Sequence, residues 1–228
     1  PATFWRRYAA YSLDVAVVAL IAVPLLAWTL RDVPGAFDTA VATVQARMLV
    51  LMDDLLAGTM AMPNAFDLAR VLADDPVLRG GIETLAEVIV EGVVAAMLTL
   101  FAIAACWFVG FESSARQATP GKAALGLRVT GVDGGRPPFG RVLARFVAGI
   151  PSWLFLHFGH AMAAWTKERR ALHDLIAGTR VEQAEPAGTP LPAWARAWLA
   201  LQLAAFFGAA AYVFGRYALL LAQVAGGG

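Results

Sequence analysis

An aspartate inside an apolar helix is the first residue in this chain that could do chemistry. Asp14 stands within FWRRYAAYSLDVAVVALIAVPLL, residues 4–26, two helical turns after Arg7. A carboxylate in hydrocarbon is costly, so such a group faces a protein interior or a water-filled cavity. Arg7 shares its helix face, but two turns rise roughly 10.5 Å. An arginine near a helix end also turns toward water. Arg145 or Lys122, from other segments, are the better expected partners. Asp14 then serves either as half of a buried ion pair or as a protonatable, cation-binding group. Desolvation would raise its pKa and pairing would lower it.

Other titratable groups are spaced in ways that matter. Glu83, Glu87 and Glu91 recur at i, i+4 and i+8, on one helix face. They form either a solvated acidic cap at a helix N-terminus or an ion-attracting vestibule, with Glu91 below the interface. His173 and Asp174 follow the basic run TKERR. Asp174 either caps a short helix and anchors its loop through Lys or Arg, or forms a proton relay with His173, which titrates near neutrality. His157 and His160 stand three apart, but no further metal ligand has matching spacing, and H-E-x-x-H is absent. Neither metal nor cofactor is expected. Ser113 and Ser114 follow Glu112 without a nucleophile's partners, so enzymatic catalysis is not expected either. In ATPGK, Arg116 occupies the place of the first glycine of a phosphate loop, which rules that motif out.

The elements that position these groups are membrane helices. Of 228 residues, 59% are hydrophobic and 15% charged, with mean hydropathy +0.63; soluble domains carry about 25% charged residues. The apolar blocks are continuous rather than alternating, which points to helices and not a β-barrel. A net charge of +1 and the lack of an arginine–aromatic patch give no sign of nucleic acid. The lone Cys106 permits no disulfide within the chain.

Residues 1–30 form the first expected transmembrane helix, kinked at Pro24. Asp14 interrupts any signal-peptide core, so this helix is expected to be retained. Residues 31–81 form an amphipathic insertion, with an apolar face of Val41, Val44, Met48, Met52, Leu55 and Leu56. Further helix starts are expected at Asn64 and at Asp75-Pro76. Residues 82–111 supply a second span, and 112–141 a polar loop with a strand at Leu127–Val132. Residues 142–183 carry a segment broken at Pro151 and then the His-Asp pair. Residues 193–224 supply the last span.

Positive residues near helix ends set orientation. Arg6 and Arg7 place the N-terminus in the cytoplasm. The 31–81 insertion, with seven aspartates against four arginines, then lies outside. Both 112–145 and 166–196 are basic, so the segment between them must enter and return as a re-entrant or interfacial hairpin. Irregular backbone at that depth must be buried in protein. This topology lets the strand at 127–132 pair with 178–182. The expected fold is therefore an all-α polytopic membrane protein: three transmembrane helices, a Pro-bent hairpin and a small cytoplasmic β element.

Three separated motifs resemble the RDD family of membrane proteins. RRYAAYSLD is similar to that family's first-helix pattern, with Arg7, Ala10 and Asp14 in register. ATPGKAALGLRV is similar to its G-x-T-x-G-K-x-x-x-G-x-x-V stretch, with Arg116 or Gln117 where glycine is usual. HDLIAGTRV resembles its His-Asp-x-x-Ala-Gly-Thr-x-Val ending and supplies Asp174. The resemblance covers residues 3–182 apart from the insertion. It implies a bacterial inner-membrane protein with transport as one activity, since some members resemble cation/proton antiporters. The expected partners are the lipid bilayer, protons and monovalent cations, and further copies of the chain. In that reading Asp14 carries the ion, Glu87 and Glu91 line an outer approach, and Arg7, Arg145 and Asp174 shape an inner one. The alternative is a non-transporting scaffold that docks a partner through residues 31–81.

Overall fold

A computed structural model describes residues 1–58, 64–154, 158–186 and 189–226. Nine helices and two strands occur among them. They run α1 (Phe4–Thr29), α2 (Val33–Leu56), α3 (Ala65–Asp74), α4 (Pro76–Glu112), α5 (Pro120–Ala124), β1 (Leu127–Gly131), α6 (Phe139–Leu154), α7 (Phe158–Ala161), a 3-10 turn (Met162–Ala164), α8 (Leu172–Ala177), β2 (Thr179–Gln183) and α9 (Ala193–Gly226). Among the described residues, three helices are long and apolar enough to cross a membrane: Phe4–Thr29, Pro76–Glu112 and Ala193–Gln223. The protein is a helical polytopic membrane protein with a small two-stranded sheet.

The chain divides into two compact units, one of residues 1–17 and 106–228 and one of residues 18–105. The first contains the sheet, in which β1 and β2 pair antiparallel with Leu127 opposite Gln183 and Gly131 opposite Thr179. Its core joins Ala9 and Ala10 of α1 to Leu125, Leu127, Val129, Val181 and Ala195. The paired small residues let other segments approach the α1 backbone closely. Arg6, only 2% exposed, donates to the carbonyls of Leu125 and Pro190 at 3.2 and 3.0 Å and to Glu185 at 2.7 Å. The Ala2 N–H adds a bond to the Val181 carbonyl at 3.0 Å.

The broken segment differs in detail from expectation. Pro151 lies inside α6, which continues to Leu154, so the break follows the proline rather than coinciding with it. α6 and the helix beginning at Phe158 form a pair bent by 115°. α6 has two faces. Val142, Arg145, Phe146, Gly149 and Ser152 are buried, whereas Phe139, Leu143 and Val147 repeat every four residues on the exposed side.

In the second unit, Asn64 caps α3 by accepting from the Phe66 and Asp67 N–H groups at 3.0 Å. Asp75 caps α4 through the Leu78 N–H at 2.8 Å and binds Arg47 at 2.6 Å. The expected break between this start and the second span does not exist. Residues 76–112 form one helix of 37 residues, roughly 55 Å of rise. Glu83, Glu87 and Glu91 therefore lie within a helix, not at its beginning. The expected apolar face of α2 is also rotated. Ala40, Val44, Arg47 and Leu51 turn inward, while Met48 and Met52 are exposed. The Arg47–Asp75 pair and the close seat of Gly81 against Val44 select that face.

Candidate functional site

Asp14 is 1% exposed and is held by three neutral donors. Its Oδ1 accepts from the Gly121 N–H at 2.8 Å and the Trp107 indole N–H at 3.2 Å, and its Oδ2 from the Thr119 hydroxyl at 2.5 Å. Neither Arg145 nor Lys122 pairs with it, which corrects the sequence expectation. The reason is local. Thr119 and Pro120 begin α5, whose first turn aims N–H groups outward, and a carboxylate satisfies those orphan donors. Gly121 permits the approach. A Cβ there would fall 2.9 Å from the Asp14 Cγ and closer still to the Ala10 carbonyl.

The cations find other carboxylates. Lys122 Nζ donates to Glu112 Oε1 at 2.8 Å, and Arg145 Nε donates to Glu112 Oε2 at 3.1 Å. Arg145 also pairs with Asp174, which is 0% exposed. Arg7 binds Asp174 and donates to the Arg169 carbonyl at 2.7 Å. Asp174 accepts the Ala171 N–H at 2.9 Å, tying down the start of α8. Arg170 closes the other side, donating to the carbonyls of Asp174 at 3.0 Å and Thr179 at 3.1 Å. α8 ends at Gly178, whose φ of 62° is a left-handed geometry that glycine adopts without a steric penalty, and this sends the chain directly into β2. Thr119 connects the two sets. It donates to Asp14 and accepts from Lys122 Nζ at 3.5 Å. One buried line thus runs Asp14–Thr119–Lys122–Glu112–Arg145–Asp174–Arg7.

This line borders a cleft of about 800 Å³ of empty space, counting its mouth. Arg7, Lys122, Arg145, Glu112, His160 and His173 provide its polar lining, and Tyr8, Tyr11, Phe108, Phe146 and Trp153 its aromatic walls. The His160 and His173 rings stand 4.6 Å apart. Burial, and then the positive charge of Arg145 with His160, Arg7 and Lys122, holds the His173 imidazole well below its ordinary pKa. A buried, neutral His173 is a poor proton relay at neutral pH. Asp14 does not line the cleft.

Glu87 and Glu91 are exposed on α4, and no ion pair involves them among the described residues. His157 lies outside the described residues. No group of three or more His, Cys, Asp or Glu side chains among the described residues could hold a metal ion.

Sequence reasoning missed Glu112, the residue on which two cations converge. It also missed Thr119, Trp107 and the aromatic walls. Glu112 carried a signal, being a carboxylate placed where an apolar helix gives way to a basic loop. Gln117 explains the irregular motif start. Its φ of 51° lies in the left-handed region, where glycine is the unstrained choice. Here its side-chain amide donates to the Val129 carbonyl at 2.8 Å, and its own carbonyl accepts the Val129 N–H at 2.8 Å.

Comparison with known proteins gives two matches. The family model described as "RDD family" matches residues 1–178. The chain is also similar to the uncharacterized protein YxaI of Bacillus subtilis (strain 168), at 35% identity over 85 residues, which cover 37% of this chain. That stretch is 56% of the Bacillus protein, so the chain spans a little over half the length of this relative. No solved structure matches.

Proposed function

The chain belongs to the RDD family of membrane proteins, and from that premise we propose that it is a small proton-coupled secondary transporter. The observation that supports this is the unbroken buried line from Asp14 through Thr119 and Lys122 to Glu112, of which Lys122 and Glu112 line the cleft. Such a chain gives a proton two carboxylates to occupy and a hydroxyl between them. Intramembrane ionisable groups mark ion and proton paths by default. Monovalent cation/proton exchange is the simplest activity of this kind. The proton rides on Asp14 or Glu112, and Arg7, Arg145 and Asp174 keep the line in place. Glu87 and Glu91, exposed on α4, take no part in the line.

The same reading puts the protein in the bacterial inner membrane with its N-terminus in the cytoplasm, because the basic segments 112–145 and 166–196 belong there. Three spans and a bent pair make a thin wall for a pathway, which favours a closed homo-oligomer.

Purified protein in proteoliposomes under an imposed pH gradient tests the proposal. Sodium or potassium should release the gradient, and both Glu112→Gln and Asp14→Asn should slow that release at least tenfold. The reading fails if wild-type protein shows no exchange with any alkali cation, or if both variants match its rate. A second reading, a scaffold that docks a partner through residues 31–81, is favoured by the compact unit of residues 18–105 to which this insertion belongs. In that case Asp14→Asn changes only stability, and removing residues 33–75 releases a defined partner.

A further inference from the structure

The cleft of the first unit has a charge pattern that a bare cation does not need. Its lining holds three cations, Arg7, Lys122 and Arg145, against one carboxylate, Glu112. Asp174, beneath, neutralises one of them. Asp14, the remaining carboxylate, faces neutral donors away from the cleft. The cleft face itself thus presents more cations than carboxylates, the balancing Asp174 and Asp14 lying outside its lining. His173, 93% buried by side chain, also lines the cleft, and its Nδ1 has no hydrogen-bond partner among the described residues. Buried polar atoms without partners call for an explanation, and an unseen ligand is one of them.

The walls add the second half of the pattern. Trp153, Phe108 and Tyr8 are among the cleft's aromatic walls, and Lys122 Nζ stands 5.4 Å from the Phe108 ring centroid. α6, which supplies one wall, carries Phe139, Leu143 and Val147 on its outward side at 61%, 41% and 49% exposure. An amphipathic helix with that pattern lies in a membrane interface, its apolar side among acyl chains. A ligand reaching the basic lining beside α6 passes from an apolar layer into a charged pocket.

We propose that this cleft binds the anionic headgroup of a membrane phospholipid, its phosphate held by Arg7, Arg145 and Lys122 and its apolar body against the aromatic walls. Arginine forks suit phosphate oxygens, and charge-assisted bonds to them are the strong kind. His173 Nδ1 supplies a further polar contact for the headgroup. The inference uses the cleft alone and stands apart from whether ions cross the membrane.

Gly149 provides a clean test. It lines the cleft, and a Cβ there meets nothing within 4 Å, so Gly149→Leu fills the space and leaves every charged group unchanged. The purified protein in nonionic detergent is titrated by calorimetry with dihexanoyl phosphatidylglycerol, dihexanoyl phosphatidylcholine and inorganic phosphate. The anionic lipid should bind roughly tenfold or more tightly than the zwitterionic one, as a charge-assisted contact implies. Gly149→Leu, folded by circular dichroism, should lose that binding. Equal affinity for the two lipids in wild-type protein overturns the proposal without any variant. Undiminished binding by Gly149→Leu overturns the location. Inorganic phosphate binding as tightly as the anionic lipid assigns the cleft to a free anion and removes the lipid.

Discussion

Asp14 is a carboxylate whose partners are all neutral, and this makes its substitutions separable. Asparagine keeps an oxygen for the Gly121 and Trp107 N–H groups, and its amide can donate to the Thr119 oxygen. Alanine strands those buried donors, each worth about 1–3 kcal/mol when unsatisfied. Asp14→Ala should therefore cost ~2 kcal/mol or more and Asp14→Asn under about 1 kcal/mol, measured as thermal unfolding in detergent. A similar loss in both would mean that charge, not donor count, matters at this position. Flux and stability then read different properties of one residue. Asp14 itself was legible in the sequence, since an aspartate in an apolar run is conspicuous. Its partners were not. A search for opposite charge leads to Arg145 and Lys122, and nothing in a linear reading shows that Glu112 already engages both. The separation of Arg7 from Asp14 was predictable from helix rise alone. Its capture by Asp174 depends on where α8 packs.

At the scale of elements, caps were readable and continuity was not. Asn64 and Asp75 stand where capping chemistry predicts helix starts, and both accept first-turn N–H groups. The sequence gives no reason for the helix from Pro76 to continue without interruption to Glu112, because Gly80 and Gly81 argue against it. Gly81 is explained by the Val44 side chain, which a Cβ would approach to 2.9 Å. The strand pair was legible for the opposite reason. Asp133-Gly134 after a β-branched run, and a second Thr-x-Val run following Gly178, mark both strands and the turn. The Asp75 cap has a pH signature. The Arg47 guanidinium, then the Leu78 N–H, hold its carboxyl below the ordinary value of 3.8. The folded state thus binds fewer protons than the unfolded one, so the cap's contribution is complete above 3.8 and fades as pH falls through the lower folded value. Hydrogen exchange in the first turn of α4 should quicken in that acid window, and Arg47→Gln should move the onset to higher pH. An onset unchanged in Arg47→Gln would remove the ion pair from the account.

For the whole molecule, composition settled the class and charge suggested the orientation. Among the described residues, no helix outside the three spans matches them in length and hydropathy together, and the proposed topology takes the bent pair of α6 and α7 as the return between two basic segments that both call for one side. Orientation is testable within the first unit. Glu168 is 72% exposed and Arg128 60% exposed by side chain. In a Cys106→Ser background, Glu168→Cys and Arg128→Cys should resist an impermeant maleimide in intact cells and react once the membrane is opened. Labelling in intact cells would invert the proposed topology.

The contacts of α1 also set a timetable. Asp14 meets Thr119 across 105 residues of chain, and Arg7 meets Asp174 across 167. α1 therefore enters the membrane carrying a bare arginine and a bare carboxylate. The second half of its partnership is made only once the chain has been synthesised through α8. Until then α1 is a provisional span, and a chain interrupted before α8 displays its unpaired charges to whatever surveys the bilayer. The polar line that holds the finished protein together is, during synthesis, a tag of incompleteness.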